Sequence, residues 1–193
     1  MNAEDLAAIV IKDLVNRTSI KPALIEEVVF AQGYPSGEAP CIGRWAALAA
    51  DLPLEVSGTQ VDRRCGSGVQ AIANAAMMVQ TGVADVVIAG GAESMSNVEY
   101  YTTNMRQGQK GGAVTLHDRL ERGRVRSQPG ARFGHISGMI ETAENLAPSI
   151  KSVERKQTLL LAARKRVLPR PGAKTSSRTT WWQSISRNVK ATL

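Results

Sequence analysis

The stretch VDRRCGSGVQAIANAAMMVQTGVADVVIAGGAESMSN, residues 61–97, decides the fold. It leaves a β-rich segment, LEVSGTQVDRR (54–64), and turns through Cys-Gly-Ser-Gly into a run from Gly68 to Gln80. In that run Val69, Ile72, Ala73, Ala76 and Val79 recur at helical spacing, and Gly82 stands where a C-terminal cap belongs. ADVVIAGGAES (84–94) follows as a short apolar run of strand type, broken by a glycine pair. Strand, helix and strand therefore succeed one another with Cys65 at the first junction.

The same alternation extends upstream. Ala3 to Asn16 sets Leu6, Ile9, Val10 and Leu14 three and four apart behind Glu4 and Asp5, which predicts an amphipathic helix. A second, shorter helix is expected over Ser19–Glu27, opening at Pro22. VVFAQG (28–33) reads as a buried strand ending at Gly33, and APCIGRWAALAADLP (39–53) as a helix stopped by Pro53. Helices alternating with apolar strands predict an α/β fold, a layered α-β-α domain whose sheet is covered on both faces. From Val98 to Ser137 the pattern dissolves into Gly, Arg, Asn and Gln, as in a long loop or small cap, and ETAENLA (141–147) reads as the start of another helix. The expected division is an α/β domain over 1–97, a cap or loop region over 98–147, and a basic tail over 148–193.

At 193 residues, 43% of them apolar, the chain can bury a core. No run approaches the ~18 apolar residues of a membrane helix, and MNAEDLAAIVIKDL (1–14) carries acids where a signal peptide carries lysines, so a cytoplasmic protein without a membrane partner is expected. The two cysteines, Cys41 and Cys65, are expected as free thiols. The net charge of +7 is unevenly spread: residues 147–193 hold eleven Lys and Arg against one acid, Glu154, whereas residues 1–146 hold thirteen against sixteen. No Cys-x-x-Cys cluster, His-Glu-x-x-His or P-loop occurs, which leaves metal and nucleoside triphosphate chemistry without a motif.

A thiol at a helix N-terminus meets unpaired N–H groups and the positive end of the helix dipole, which favour the nucleophilic thiolate. Gly66 and Gly68 remove bulk beside the sulfur, and a backbone N–H at the turn is a candidate donor to an oxyanion. Of Arg63 and Arg64, at most one is expected to face the thiol, since neighbouring strand residues point to opposite faces. These residues alone fit a small cysteine in a tight turn at least as well as a nucleophile.

Residues 61–97 closely resemble the acyl-enzyme cysteine segment of thiolases, in the Cys-Gly-Ser-Gly turn, the helix behind it and the Gly-Gly-x-Glu-Ser-Met strand end. GRWAALAADLP (43–53) is similar to the family's Arg-x-Ala-Ala-x-x-Ala-Gly-Leu-Pro helix, and RFGHISGMIETAENLA (132–147) to the end of its cap loop. Ketoacyl synthases share a cysteine at this place, but the Gly-Gly-x-Glu-Ser-Met segment favours thiolase. The resemblance implies a thiolase-type acyltransferase of fatty acid and acetyl-CoA metabolism. In this relay Cys65 takes an acyl group from an acyl-CoA and coenzyme A or a second acetyl-CoA receives it. It matches Met139 to a methionine lining the acyl pocket, implies no bound cofactor or metal, and makes acyl-CoA and coenzyme A the substrates. Intact family members are homo-oligomers.

The chain departs from the family in three respects. The Gly-His-Pro base and the Cys-x-Gly acid/base of the family's C-terminal half are absent; His117 and His135 match neither and are expected to be solvated, and Cys41 is expected as packing. A first strand, expected in the middle of the sheet, is also absent, which would leave buried groups unpaired at about 1–3 kcal/mol each and the chain poorly folded. After ETAENLA the family's acidic, alanine-rich helix gives way to the basic tail. There KQTLLL (156–161) can be encoded so that another frame reads Glu-Ala-Asp-Ala-Phe-Ala, so the tail is read as out-of-frame or disordered. Two rival readings stand beside the acyltransferase: a non-catalytic thiolase-like fragment acting as an interaction module, and a nucleic-acid binder working through the tail. Nucleic acid is not expected as a partner, because a charge run is more often a solvated segment.

Overall fold

The computed structural model describes residues 1–146; the basic tail from residue 148 lies outside them. The chain divides into two compact units, Met1–Ile136 and one beginning at Ser137.

Three strands, β1 (Glu27–Ala31), β2 (Ser57–Val61) and β3 (Val87–Gly91), form a parallel sheet in the order β2-β1-β3. Central β1 pairs from Glu27 to Ala31 with Ser57–Val61 on one side and with Val87–Gly91 on the other. All five of its residues are buried, the mark of a strand covered on both faces. The gap expected in the middle of the sheet is therefore not found. Both edges of β1 are hydrogen-bonded, and poor folding loses the cause assigned to it.

On one face Val28 and Phe30 pack with Ala3, Ala7 and Ile11 of helix α1 (Ala3–Thr18) and Ile42, Ala46 and Ala47 of helix α2 (Ile42–Ala49). On the other, Val29 and Ala31 pack with Ala71 of helix α3 (Ser67–Gln80), with Val61, Met78 and Val87 at the margin. This is the α-β-α layering expected, with α2 and α3 as the crossovers that parallel strands require.

Two helices turn differently from their expected faces. In α1 the inward side is Ala3, Ala7 and Ile11, while Ile9 and Val10 are exposed, because alanines let α1 lie close against α2. In α3 the inward side is Ser67, Ala71 and Ala75, and the stripe that announced the helix points outward: Val69 is 75% exposed and Ile72 61%. The helix expected over Ser19–Glu27 shrinks to a 3-10 turn at Pro22–Leu24, because sheet pairing begins at Glu26, whose N–H donates to Val86 and whose carbonyl accepts from Ser57. Gly82 caps α3 as expected, at φ 71°, its N–H donating to the Val79 carbonyl at 3.2 Å.

The segment after Asn97 is a small cap rather than open loop. Strands β4 (Tyr100–Tyr101) and β5 (His117–Asp118) pair antiparallel, and helices α4 (Arg119–Val125) and α5 (Gly130–Phe133) follow. Asp118 caps α4 by accepting the Leu120 N–H at 2.8 Å. The second unit contributes helix α6 (Met139–Leu146) among the described residues. No helix among the described residues is long and apolar enough to cross a membrane.

Candidate active site

The turn at Cys65 is held by two side chains, those of Asp62 and Ser67. Beyond Val61 the Asp62 carboxylate accepts the Arg64 N–H at 3.0 Å, an Asx-type turn that breaks the strand. Arg64 then adopts φ 51°, a left-handed conformation uncommon for a residue with a Cβ, and such outliers cost about 1–3 kcal/mol and cluster at functional sites. Ser67, only 3% exposed, holds it: its Oγ accepts the Arg63 N–H at 2.6 Å and donates to the Arg64 carbonyl at 2.6 Å. Between these anchors a 3-10 turn, Arg64–Gly66, carries Cys65 at its midpoint, exposed and as a free thiol, directly before α3.

Arg63 and Arg64 lie beyond the strand, and both are engaged elsewhere. Arg63 donates to the Gln70 side chain. Arg64 donates to the Gly33 carbonyl, pairs with Asp62 at 3.4 Å and lies over the Tyr34 ring, tying the end of β2 to that of β1. The N–H groups of Gly66 and Ser67 are likewise bound, to the carbonyls of Arg63 and Arg64.

The ends of β1 and β3 are joined by Glu93, whose Oε2 accepts the N–H groups of Gly33 at 2.8 Å and Tyr34 at 3.1 Å. Glycines precede it because the strands run close: a Cβ on Gly90 would lie 2.9 Å from the Phe30 ring, and one on Gly91 2.8 Å from the Ala31 carbonyl oxygen. Glu93 and Ser67 stand in the Gly-Gly-x-Glu-Ser-Met and Cys-Gly-Ser-Gly motifs, which by themselves give neither a structural role. A glycine pair inside a strand signals close backbone approach and points to the first; nothing local points to the second.

These contacts frame an open crevice of about 310 Å³ lined by Gln32, Gly33, Arg64, Ser67, Gly68 and Glu93 among others. Its walls come from the carboxyl ends of all three strands, where open parallel sheets place their ligands. A Cβ on Gly68 would meet nothing within 4 Å, so the space beside the first turn of α3 is open.

Cys41, His117 and His135 are not among the residues that line the crevice. Cys41 is half-buried at the N-cap of α2, its Sγ donating to the Gly58 carbonyl at 3.3 Å, which makes it a packing residue. His117 is not solvated as expected: it is partly buried, tilted against Tyr101 at 5.7 Å, with Arg122 Nη1 3.1 Å from its Nδ1. His135 is exposed. Met139 opens α6 in the second unit with 78% of its surface exposed. No group of three or more His, Cys, Asp or Glu among the described residues is arranged to hold a metal.

Replacing Ser67 with Ala strands the Arg63 N–H and releases Arg64 from its left-handed geometry. The expected loss is about 1–3 kcal/mol in urea unfolding, together with a changed rate of alkylation at Cys65. Wild-type stability and an unchanged alkylation rate in Ser67→Ala would show that the hydroxyl does not hold the turn.

Residues 1–163 match the family model described as thiolase, N-terminal domain. The chain is 40% identical over 116 residues to a cytosolic acetyl-CoA acetyltransferase of Gibberella zeae, covering 60% of this chain and 29% of that protein. It is 35% identical over 162 residues to an acetyl-CoA acetyltransferase of Schizosaccharomyces pombe, covering 80% and 41%. The crystal structure of the Bacillus anthracis acetyl-CoA acetyltransferase superimposes with a TM-score of 0.68 at 36% identity, over 77% of this chain and 36% of that one. The chain thus spans well under half the length of these relatives.

Proposed function

The chain belongs to the thiolase family, by a match to its N-terminal domain, and from that premise we propose that it performs the acyl-accepting half of a thiolase-type acyl transfer with Cys65 as nucleophile. The observation that carries this reading is the exposed thiol on a clipped turn at the carboxyl end of a parallel sheet, beside an open crevice. The Sγ gives up its proton to solvent or buffer and adds to the thioester carbonyl carbon of an acyl-CoA. The tetrahedral adduct collapses by breaking its bond to the coenzyme A sulfur, which leaves as the thiolate and is protonated. The acyl group stays on Cys65 until coenzyme A, or the α-carbon of a second acetyl-CoA, accepts it. Met139 as an acyl-pocket residue, assembly into a homo-oligomer and a cytoplasmic setting belong to the same reading, supported by the resemblance and, for the last, by two free thiols.

No histidine lines the crevice, and one oxygen of its lining carboxylate, Glu93, is held by two N–H groups. Turnover by this chain is therefore slowed by about 10²–10⁴, the usual contribution of a general base. That observation also favours a second reading, a thiolase-like module without catalysis. Intact-mass measurement of the full chain after incubation with acetyl-CoA separates the two. A covalent acetyl adduct that survives denaturation and is removed by hydroxylamine supports the first; its absence from a folded chain leaves the second.

A further inference from the structure

The loop that leaves β1, residues 33–37, touches both the turn of Cys65 and the cap. Toward the turn, the Gly33 carbonyl accepts from the Arg64 guanidinium, which also lies over the Tyr34 ring, 5.6 Å from its centroid. Toward the cap, the same ring meets α4: a Cβ on Gly123 would lie 3.0 Å from Tyr34 Cε1 and 3.8 Å from Cδ1. A Cβ so placed would crowd the ring, so glycine is what lets helix and ring lie this close. The Gly37 N–H donates to Glu99 Oε1 at 3.3 Å, and Glu99 pairs with Arg119, the first residue of α4, at 2.6 Å. The loop is thus joined to Arg64 on one side and to α4 on the other.

Arg64 is where a push on this loop has a discrete outcome. At φ 51° its backbone is held by Asp62 and Ser67 rather than by its own preference, and an ordinary negative φ is the alternative open to it. Cys65 is the next residue, so a change at Arg64 redirects the thiol. Tyrosine is a flat, stiff body with two rotatable bonds, and it cannot yield to α4 without shifting against the guanidinium. Both contacts are with the ring: its face lies under Arg64, and Cε1 and Cδ1 are the atoms nearest Gly123.

We propose that Tyr34 is a positioning residue for Cys65, its ring passing the seating of the cap helix α4 to Arg64 and so to the turn that presents the thiol. As an account of catalysis this rests on Cys65 as the acyl-accepting nucleophile; as an account of the thiol's reactivity it does not. Coupling of this kind is an energy between separated residues, and a double-mutant cycle measures it. Gly123 makes the cycle possible. It is not among the residues that line the crevice, so a methyl added there acts on Cys65 through the Tyr34 ring that it meets.

The test is the rate of Cys65 alkylation by iodoacetamide in the full chain carrying Cys41→Ala, with acylation by acetyl-CoA measured beside it. Gly123→Ala and Tyr34→Ala are each expected to slow alkylation by about threefold or more, while Tyr34→Phe, which keeps the ring, stays within about twofold of the wild type. In Tyr34→Ala the methyl added at Gly123 is expected to change the rate no further, since the body that carried its push is gone. Tyr34→Leu and Gly123→Ser serve wherever an alanine variant does not melt cooperatively. Four results overturn the proposal: an unchanged rate in Gly123→Ala; an effect of Gly123→Ala that persists undiminished without the Tyr34 ring; a loss in Tyr34→Phe equal to that in Tyr34→Ala; or a lowered melting midpoint with unchanged alkylation, as for a structural role only. A wild-type chain that takes no acetyl group while its alkylation follows the series sinks the acyl-accepting reading and leaves the positioning of the thiol standing, and acetylation with a flat alkylation series does the reverse.

Discussion

Cys65→Ala will show no acetyl adduct after incubation with acetyl-CoA, and its release of coenzyme A will fall by about 10³-fold or more, because removal of a covalent nucleophile leaves only background reactions. The comparison that makes the result specific is Cys41→Ala. Cys41 is a free thiol too, but it is half-buried and directed at the Gly58 carbonyl, so its removal is expected to leave adduct and release unchanged. Exposure, not the mere presence of a thiol, separates the two. Peptide mapping of the adduct checks the assignment directly. Acetyl groups shared evenly between the two cysteines, or persisting in Cys65→Ala, would mean that the turn does not direct the chemistry.

Gly58→Ala will remove the cooperative unfolding transition or lower stability by about 3 kcal/mol or more, at the upper end of the usual cost of overpacking. Gly58 lies in β2 beside Val28 of the central strand, and α2 crosses it so closely that an added Cβ would overlap the backbone nitrogen and Cα of Arg44. The converse holds from the helix: a Cβ on Gly43 would lie 2.5 Å from the Thr59 carbonyl oxygen and 2.6 Å from that of Val28. Backbone cannot rotate aside as a side chain can, so α2 must lift from the sheet and expose Ile42, Ala46 and Ala47, all fully buried. Against a total stability of about 5–15 kcal/mol, one methyl group here decides whether the domain holds together. Urea unfolding followed by circular dichroism reads the effect. A wild-type midpoint in Gly58→Ala would refute the backbone-on-backbone contact.

How far the molecule was legible in its sequence depends on the range of the interactions. The helix behind Cys65, its glycine cap and the strand ending at the glycine pair are local patterns, and each appears within a residue or three of its expected place. Which face of each helix turns inward was not legible. Periodicity finds a stripe, but Ala71 and Ala75 lie on the buried side of α3 because small residues permit close approach to the sheet, a property of the partner surface. The short helix expected after Ser19 failed for a similar reason: pairing of Glu26 with Val86 and Ser57 claims its residues for the sheet. At the site the cysteine could be named from its turn, whereas the Glu93 clamp joins residues 59 and 60 positions apart, beyond any window. The strand order put β1 between β2 and β3, where a missing strand had been expected, because topology is not written in the period of any one segment.

The outward stripe on α3 bears on the fate of the acyl group itself. Val69, Ile72, Met77 and Val79 are all at least 47% exposed, and they continue along the helix whose first turn follows Cys65. Transferases normally exclude water from a reactive thioester, and that exclusion suppresses hydrolysis. Here both the stripe and the crevice before α3 are open. If Cys65 carries the acyl group as proposed, that group stands open to a competing acceptor present at vast excess, and its release as the free carboxylic acid is the expected rival of transfer.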